Sequence, residues 1–148
     1  MRSVHRLFHL AIPCADLDTT EQFYTKVLGC RRARRYDDRI TLDFFGDQVV
    51  CHLAPEAIDA TPELYPRHFG ITFLNREEFD AMVQRVADKA DGGGENSVKG
   101  EASAAVRILM PLTTRFAGRR EEHLTIALLD PSNNVLEFKY YHDPAMVY

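Results

Sequence analysis

The amino-acid sequence predicts an α+β fold built from two successive modules, each with the element order β-α-β-β-β. Each half contains one amphipathic helical stretch. It also contains short strand-like runs in which apolar side chains recur with a period of two. A proline-rich segment at 54–66 separates the halves, and the same pattern restarts after it. We therefore place module one at about 6–53 and module two at about 67–141, as an internal repeat within one domain spanning 1–148.

Module one begins with the apolar run RLFHLAIP at 6–13, in which alternation places His9 on one face. A helix follows, because Asp18 and Glu21 have capping-box spacing and Gly29 is a typical helix stop. The remaining strands are separated by two-residue polar links that suit antiparallel hairpins. These strands are predicted at 30–36, 39–45 and 48–53.

Module two repeats this order, starting with RHFGITFL at 67–74, which carries His68 near its start. Asn75 precedes the amphipathic stretch 76–90 and is predicted to cap it. A glycine-rich insertion at 91–105 precedes the last three strands. These are predicted at 106–112 and, as two strands folded about a polar turn, within 123–141.

Four side chains of metal-ligand type occupy similar places in the two modules. His9 and His68 both lie at the start of a first strand, and aligning VVCHL with VLEF places His52 on Glu137. Modules related by a pseudo-twofold axis would bring these side chains together. Two imidazoles and a carboxylate on one side of a cation, with open positions opposite, form the facial arrangement that suits Fe(II) and related metals.

Composition excludes several other classes of function. The formal net charge of −4 gives no general attraction to nucleic acid or to anionic lipid. No apolar run approaches the roughly 20 residues of a membrane span, and the N-terminus lacks a signal-peptide core, so we expect a cytoplasmic protein that does not bind membranes. Its three cysteines are scattered, which predicts buried free thiols: Cys14, Cys30 and Cys51.

Four segments of the chain are distinctive: FHLAIPCADLDTTEQFYTKVLGC, DFFGDQVVCHLAP, PRHFGITF and RFAGRREEHLTIALLDPSNNVLEFK. Through them the chain resembles the vicinal oxygen chelate superfamily, which includes glyoxalase I, bleomycin and fosfomycin resistance proteins and extradiol dioxygenases. The resemblance covers nearly the whole chain and is closest to a small branch of predicted extradiol-type dioxygenases. It implies a single cup-shaped mixed sheet and a metal bound by His9, His68 and Glu137. The branch usually has Lys and Gln where this chain has Ala117 and His123.

The same resemblance implies an enzyme that cleaves the ring of a small catechol-like vicinal diol, using Fe(II), in a homodimer. His52 and Tyr141 are the expected catalytic residues, since either could move protons near the substrate. One alternative is a glyoxalase-like isomerase or lyase with Ni(II), Zn(II) or Mn(II), in which His52 is the fourth metal ligand. A second alternative is a non-catalytic protein of the bleomycin-resistance type, which binds a small molecule without converting it.

Overall fold

A computed structural model describes residues 5–90 and 106–148 of the chain. The predicted glycine-rich insertion at 91–105 lies outside the described residues. The chain divides into two compact units. The first unit runs to Thr61 and includes Pro131–Asn134, and the second comprises Pro62–Asp130 and Val135–Tyr148.

The first unit contains one four-stranded mixed sheet, in the order β1-β4-β3-β2. Its first strand, β1, runs parallel to β4, whereas β4, β3 and β2 are antiparallel neighbours joined by the short polar links seen in the sequence. Residues of the 131–134 turn also belong to this unit, because the Ser132 hydroxyl accepts a hydrogen bond from the Ala15 amide at 2.9 Å. The strands are β1 His9–Cys14, β2 Arg31–Arg35, β3 Arg39–Phe44 and β4 Asp47–Leu53.

The helix of the first unit begins two residues earlier than its sequence pattern predicts. Helix α1 covers Leu17–Gln22 and continues as a π-helical turn to Val27. Its cap is Asp16, which accepts a hydrogen bond from the Thr19 amide at 2.8 Å, and this bond lowers the pKa of Asp16. The predicted cap, Asp18, instead pairs with an arginine of β2. The chain leaves the helix at Gly29, with φ of 78°, as predicted.

The second unit has the same topology, with the sheet order β5-β8-β7-β6 and a parallel pair formed by β5 and β8. Helix α2, Arg76–Ala90, begins where Asn75 Oδ1 accepts a hydrogen bond from the Glu78 amide at 3.0 Å. Its buried residues Phe79, Met82 and Val86 supply the apolar stripe that the sequence predicts. The strands are β5 Phe69–Phe73, β6 Arg107–Arg115, β7 His123–Leu129 and β8 Val135–Tyr141.

The α+β class and the repeated β-α-β-β-β order are therefore confirmed. The sequence analysis predicted one sheet, and the structure has two sheets of four strands each. The reason is that the first strand of each module forms its ladder with the last strand of the same module. All three cysteines are free and buried, as predicted. Across 5–90 and 106–148, the helices are too short or too polar to cross a membrane.

Candidate metal site

Glu137 on β8 is a buried carboxylate of the second unit, and its side chain is 3% exposed. Its neighbours Leu136 and Phe138 are fully buried on the opposite face of the strand, as the period-two pattern predicts. The Thr125 hydroxyl on β7 donates a hydrogen bond of 2.6 Å to Glu137 Oε1. Burying a carboxylate is costly unless it is paired and hydrogen-bonded. The groups around the second carboxylate oxygen, Oε2, therefore determine what Glu137 can bind.

His68 lies beside that second oxygen, with Nε2 2.8 Å from Glu137 Oε2. The other ring nitrogen, Nδ1, is 2.7 Å from the backbone oxygen of Leu64. Because a carbonyl oxygen can only accept a hydrogen bond, Nδ1 carries the hydrogen, and a neutral His68 presents a lone pair at Nε2. Two donor atoms, Nε2 of His68 and Oε2 of Glu137, are thus held 2.8 Å apart, where a metal cation could bind both.

The bonding of Glu137 Oε2 supports this interpretation. Despite its short distance to His68 Nε2, Oε2 lacks a partner with hydrogen-bond geometry. Within the described ranges, it is the only buried side-chain nitrogen or oxygen atom without a hydrogen-bond partner. The Lys139 ammonium group, 3.5 Å away, gives it charge compensation. An oxygen of this kind, next to an imidazole lone pair, is a suitable donor for a divalent cation.

Backbone contact between β5 and β8 holds the two donors together. Gly70, two residues after His68, lies directly opposite Glu137 in the parallel ladder. A Cβ atom at position 70 would lie 1.7 Å from the Glu137 carbonyl oxygen, so no other residue fits without separating the strands. The Tyr65 ring contacts His68 edge-on, at 5.7 Å between centroids, and helps to orient the imidazole.

The structure brings together two of the three predicted metal ligands, His68 and Glu137. His9 lies exposed at the start of β1 in the first unit. Within 5–90 and 106–148, no group of three or more His, Cys, Asp or Glu side chains is arranged to hold a metal ion. The pair fits a cation by its chemistry, and the complete three-ligand set stays a prediction.

His52 lies in the first unit, exposed on β4 opposite Pro13 of β1. The strand registers correct its alignment with Glu137. Matching the first strands at their histidines places Ala11 on Gly70, and these residues lie opposite Val50 and Glu137 respectively. The counterpart of Glu137 is therefore Val50, and the predicted correspondence with His52 is wrong by two residues.

Tyr141, the second predicted catalytic residue, is half-buried at the end of β8, on the same face of the strand as Glu137. Its ring stacks on that of His123, with centroids 4.5 Å apart and planes inclined by 33°. The catalytic roles of His52 and Tyr141 stay predictions. The sequence reasoning missed the hydrogen bonds from Thr125 and to Leu64, although the register of the 123–141 hairpin could have identified Thr125 as a close neighbour of Glu137.

Replacing Thr125 by valine should destabilise the protein by about 1 to 3 kcal/mol, since Glu137 Oε1 would lose its donor while remaining buried. The midpoint of urea unfolding measures this loss. Thr125→Ser keeps the hydroxyl and should lose less than half as much. An equal loss in both variants would show that packing of the Thr125 methyl group, rather than the hydrogen bond, stabilises this place.

Comparisons of the sequence and of the structure with known proteins find matches to the same family. The sequence profile described as the Glyoxalase/Bleomycin resistance protein/Dioxygenase superfamily matches residues 6–138. The chain is 47% identical to a protein from Alicyclobacillus acidocaldarius whose crystal structure carries the same three-part description. The match covers 100% of both chains, with a TM-score of 0.84. No curated protein gave a significant match.

More distant structures share the fold. A genomically encoded fosfomycin resistance protein from Listeria monocytogenes is 18% identical, with a TM-score of 0.62 over 95% of this chain and 94% of that one. A lactoylglutathione lyase from Agrobacterium tumefaciens is 15% identical, with a TM-score of 0.59 over 94% and 96%. At these identities the likeness extends to the fold alone, and different activities are built on it.

Proposed function

Because this chain belongs to the glyoxalase/bleomycin resistance protein/dioxygenase superfamily, we propose that it is a metal-dependent enzyme, an extradiol-type dioxygenase that cleaves the ring of a small catechol-like diol. The observation that carries the proposal is the pair formed by His68 Nε2 and Glu137 Oε2, 2.8 Å apart and without hydrogen-bond geometry. A purely structural ion pair would be expected to satisfy both atoms.

In this proposal His68 and Glu137 bind a divalent cation, and the family resemblance adds His9 as the third ligand. Fe(II) is the metal that we expect, with Mn(II), Ni(II) or Zn(II) as alternatives. When bound, Fe(II) would supply charge stabilisation for two neighbouring substrate oxygens and the redox capacity that ring cleavage by dioxygen requires.

Neighbouring residues orient the two proposed ligands, His68 and Glu137, for binding the cation. Leu64 fixes the ring of His68 so that Nε2, and not Nδ1, faces Glu137. Thr125 holds Oε1 of Glu137 and leaves Oε2 for the metal. His52 and Tyr141 are proposed to move protons to and from the substrate. The Tyr141 ring stacks on that of His123.

The strand registers favour three protein ligands over the four of the isomerase alternative. The counterpart of Glu137 in module one is Val50, whose side chain has no donor atom. His52 is two residues further along β4, about 7 Å away along the strand. The binding-protein alternative is disfavoured because a protein that only sequesters a ligand has no need of the His68–Glu137 pair.

Oxygen consumption tests the proposed reaction. Protein purified without oxygen and loaded with Fe(II) should consume dioxygen only when a catechol is added, and His68→Ala should lose this uptake. His142→Ala is a matched control, since this exposed histidine pairs with Glu122 at 3.5 Å. Turnover without oxygen consumption would transfer the assignment to isomerase or lyase chemistry, and ligand binding without turnover would indicate a sequestering protein.

We also propose that the protein is cytoplasmic and forms a homodimer, as expected from the sequence. Three buried free thiols are compatible with a reducing compartment, because cytosolic proteins retain reduced cysteines. Light scattering coupled to size exclusion should give twice the 16.9 kDa mass of one chain.

A further inference from the structure

The Glu137 face of the second sheet continues beyond the proposed metal ligands. Residues directly opposite one another in an antiparallel ladder project to the same face. Moving along β8 from Glu137, the next row contains Lys139, Thr125 of β7 and Thr113 of β6. The row after it contains Tyr141, His123 of β7 and Arg115 of β6.

The face is closed at one end and accessible at the other. Glu137 and Thr125 are buried, at 5% and 1% exposure, whereas the side chain of Lys139 is 29% exposed. Tyr141 and Arg115 are half-buried. A molecule that approaches Glu137 along this face from its open end therefore passes Lys139 and Arg115.

The charges of this face are unbalanced. Among the residues that the structure describes, Lys139 has one ionic neighbour, Glu137 Oε2, which is the same atom that the proposed metal would use. Arg115 has no ion pair with any residue of 5–90 or 106–148. Glu137 is the one carboxylate that these strands place on this face. Once Glu137 binds a cation, Lys139 and Arg115 present two positive charges on this face that an anionic ligand can neutralise.

His123 adds a polar atom to the same place. Its Nδ1 is 3.0 Å from the carbonyl oxygen of Glu121 and must therefore carry the hydrogen. The stacked ring of Tyr141 on one side and that of Phe116, with its centroid 5.9 Å away, hold the imidazole in place. Its Nε2 makes no hydrogen bond to the described residues and is not among their fully buried unpaired atoms. Nε2 can therefore interact with a ligand.

We propose that Lys139 is a specificity residue that binds a carboxylate on the substrate, with Arg115 attracting the same group at the open end of the face. This inference rests on the proposed function and narrows its substrate class to catechols that carry an acidic group. The backbones of Lys139 and Arg115 are separated by two strand spacings and two residues, roughly 12 Å. Two long side chains can span this distance around one anion.

Binding measurements test this inference without requiring turnover. Isothermal titration of the protein as purified, without oxygen, should show tighter binding of 3,4-dihydroxybenzoate than of catechol, by about tenfold or more. Lys139→Met should remove most of that preference. Arg115→Met should reduce the preference by a smaller factor, and Lys26→Met, an exposed lysine of the first unit, should not change it.

The outcomes separate this inference from the proposed function. Equal affinity of the wild-type protein for both compounds would overturn the inference, even if catechol were cleaved. An equal loss of affinity for both compounds in Lys139→Met would also overturn it, because Lys139 would then act by compensating Glu137. A carboxylate preference that depends on Lys139 would support it, even if oxygen uptake showed that the reaction is not ring cleavage.

Discussion

Replacing Glu137 by glutamine should weaken binding of the divalent metal by at least about 100-fold while leaving the fold intact. Loss of a residue that only supports a ligand costs 10-fold to 100-fold in metal affinity, and loss of a ligand should cost more. Glutamine has the same size as glutamate, so the change removes charge without creating a cavity.

The metal-free variant should remain about as stable as the wild-type protein. The amide oxygen can still accept the hydrogen bond from Thr125, and the amide nitrogen would occupy the place of Oε2, 2.8 Å from His68. There an N–H group would replace an acceptor beside the Nε2 lone pair that Leu64 leaves available. Metal binding and stability are thus expected to separate in Glu137→Gln.

Urea unfolding with and without metal measures both effects. At a metal concentration 100 times the wild-type Kd, the wild-type protein should gain about 2.7 kcal/mol of stability, and the variant about 0.4 kcal/mol or less. Stability in chelator should differ by under about 1 kcal/mol. A variant that gains as much from metal as the wild-type protein would show that Glu137 is not a ligand.

Replacing Gly70 by alanine should destabilise the protein by about 3 kcal/mol, at the upper end of the range for overpacked sites. The added Cβ would lie 1.7 Å from the Glu137 carbonyl oxygen, and backbone cannot rotate away as a flexible side chain can. Strand β5 must therefore move from β8, which also separates His68 from Glu137. We expect a lower urea midpoint together with weaker metal binding.

Gly46→Ala is the matched control for this effect. Gly46 has φ of 90° with nothing within 4 Å of an added Cβ, so the change introduces backbone strain of about 1 to 2 kcal/mol without overlap. It should leave metal affinity unchanged. If Gly70→Ala lost no more stability than Gly46→Ala and bound metal normally, close approach of β5 and β8 would not be what positions the two donors.

Much of the fold follows from local patterns that the sequence carries. Apolar runs, period-two alternation and short polar links predicted all eight strands, and Asn75 and Gly29 marked helix boundaries where the structure has them. The cap of α1 was placed wrongly because Asp16 and Asp18 are both acceptable capping residues, and tertiary contacts decide between them. Arg35 of β2 engages Asp18 at 2.6 Å, which leaves Asp16 to cap the helix.

The residue types of the candidate site could be predicted from the sequence, but the register of the strands that position them could not. A carboxylate at position 137 between apolar neighbours already indicated a buried functional group. The alignment that placed His52 on Glu137 failed because sequence similarity of a few residues cannot fix which strand positions lie opposite each other. The carbonyl of Leu64 left no signal at all, since backbone groups look alike in every sequence.

The metal content of the protein tests the central claim most directly. Elemental analysis of wild-type protein purified without oxygen should find about one divalent metal ion per chain, with iron as the expected element. His68→Ala should contain almost none, and His142→Ala as much as the wild-type protein. No metal in the wild-type protein, even after reconstitution with Fe(II), or equal metal in His68→Ala, would contradict the account.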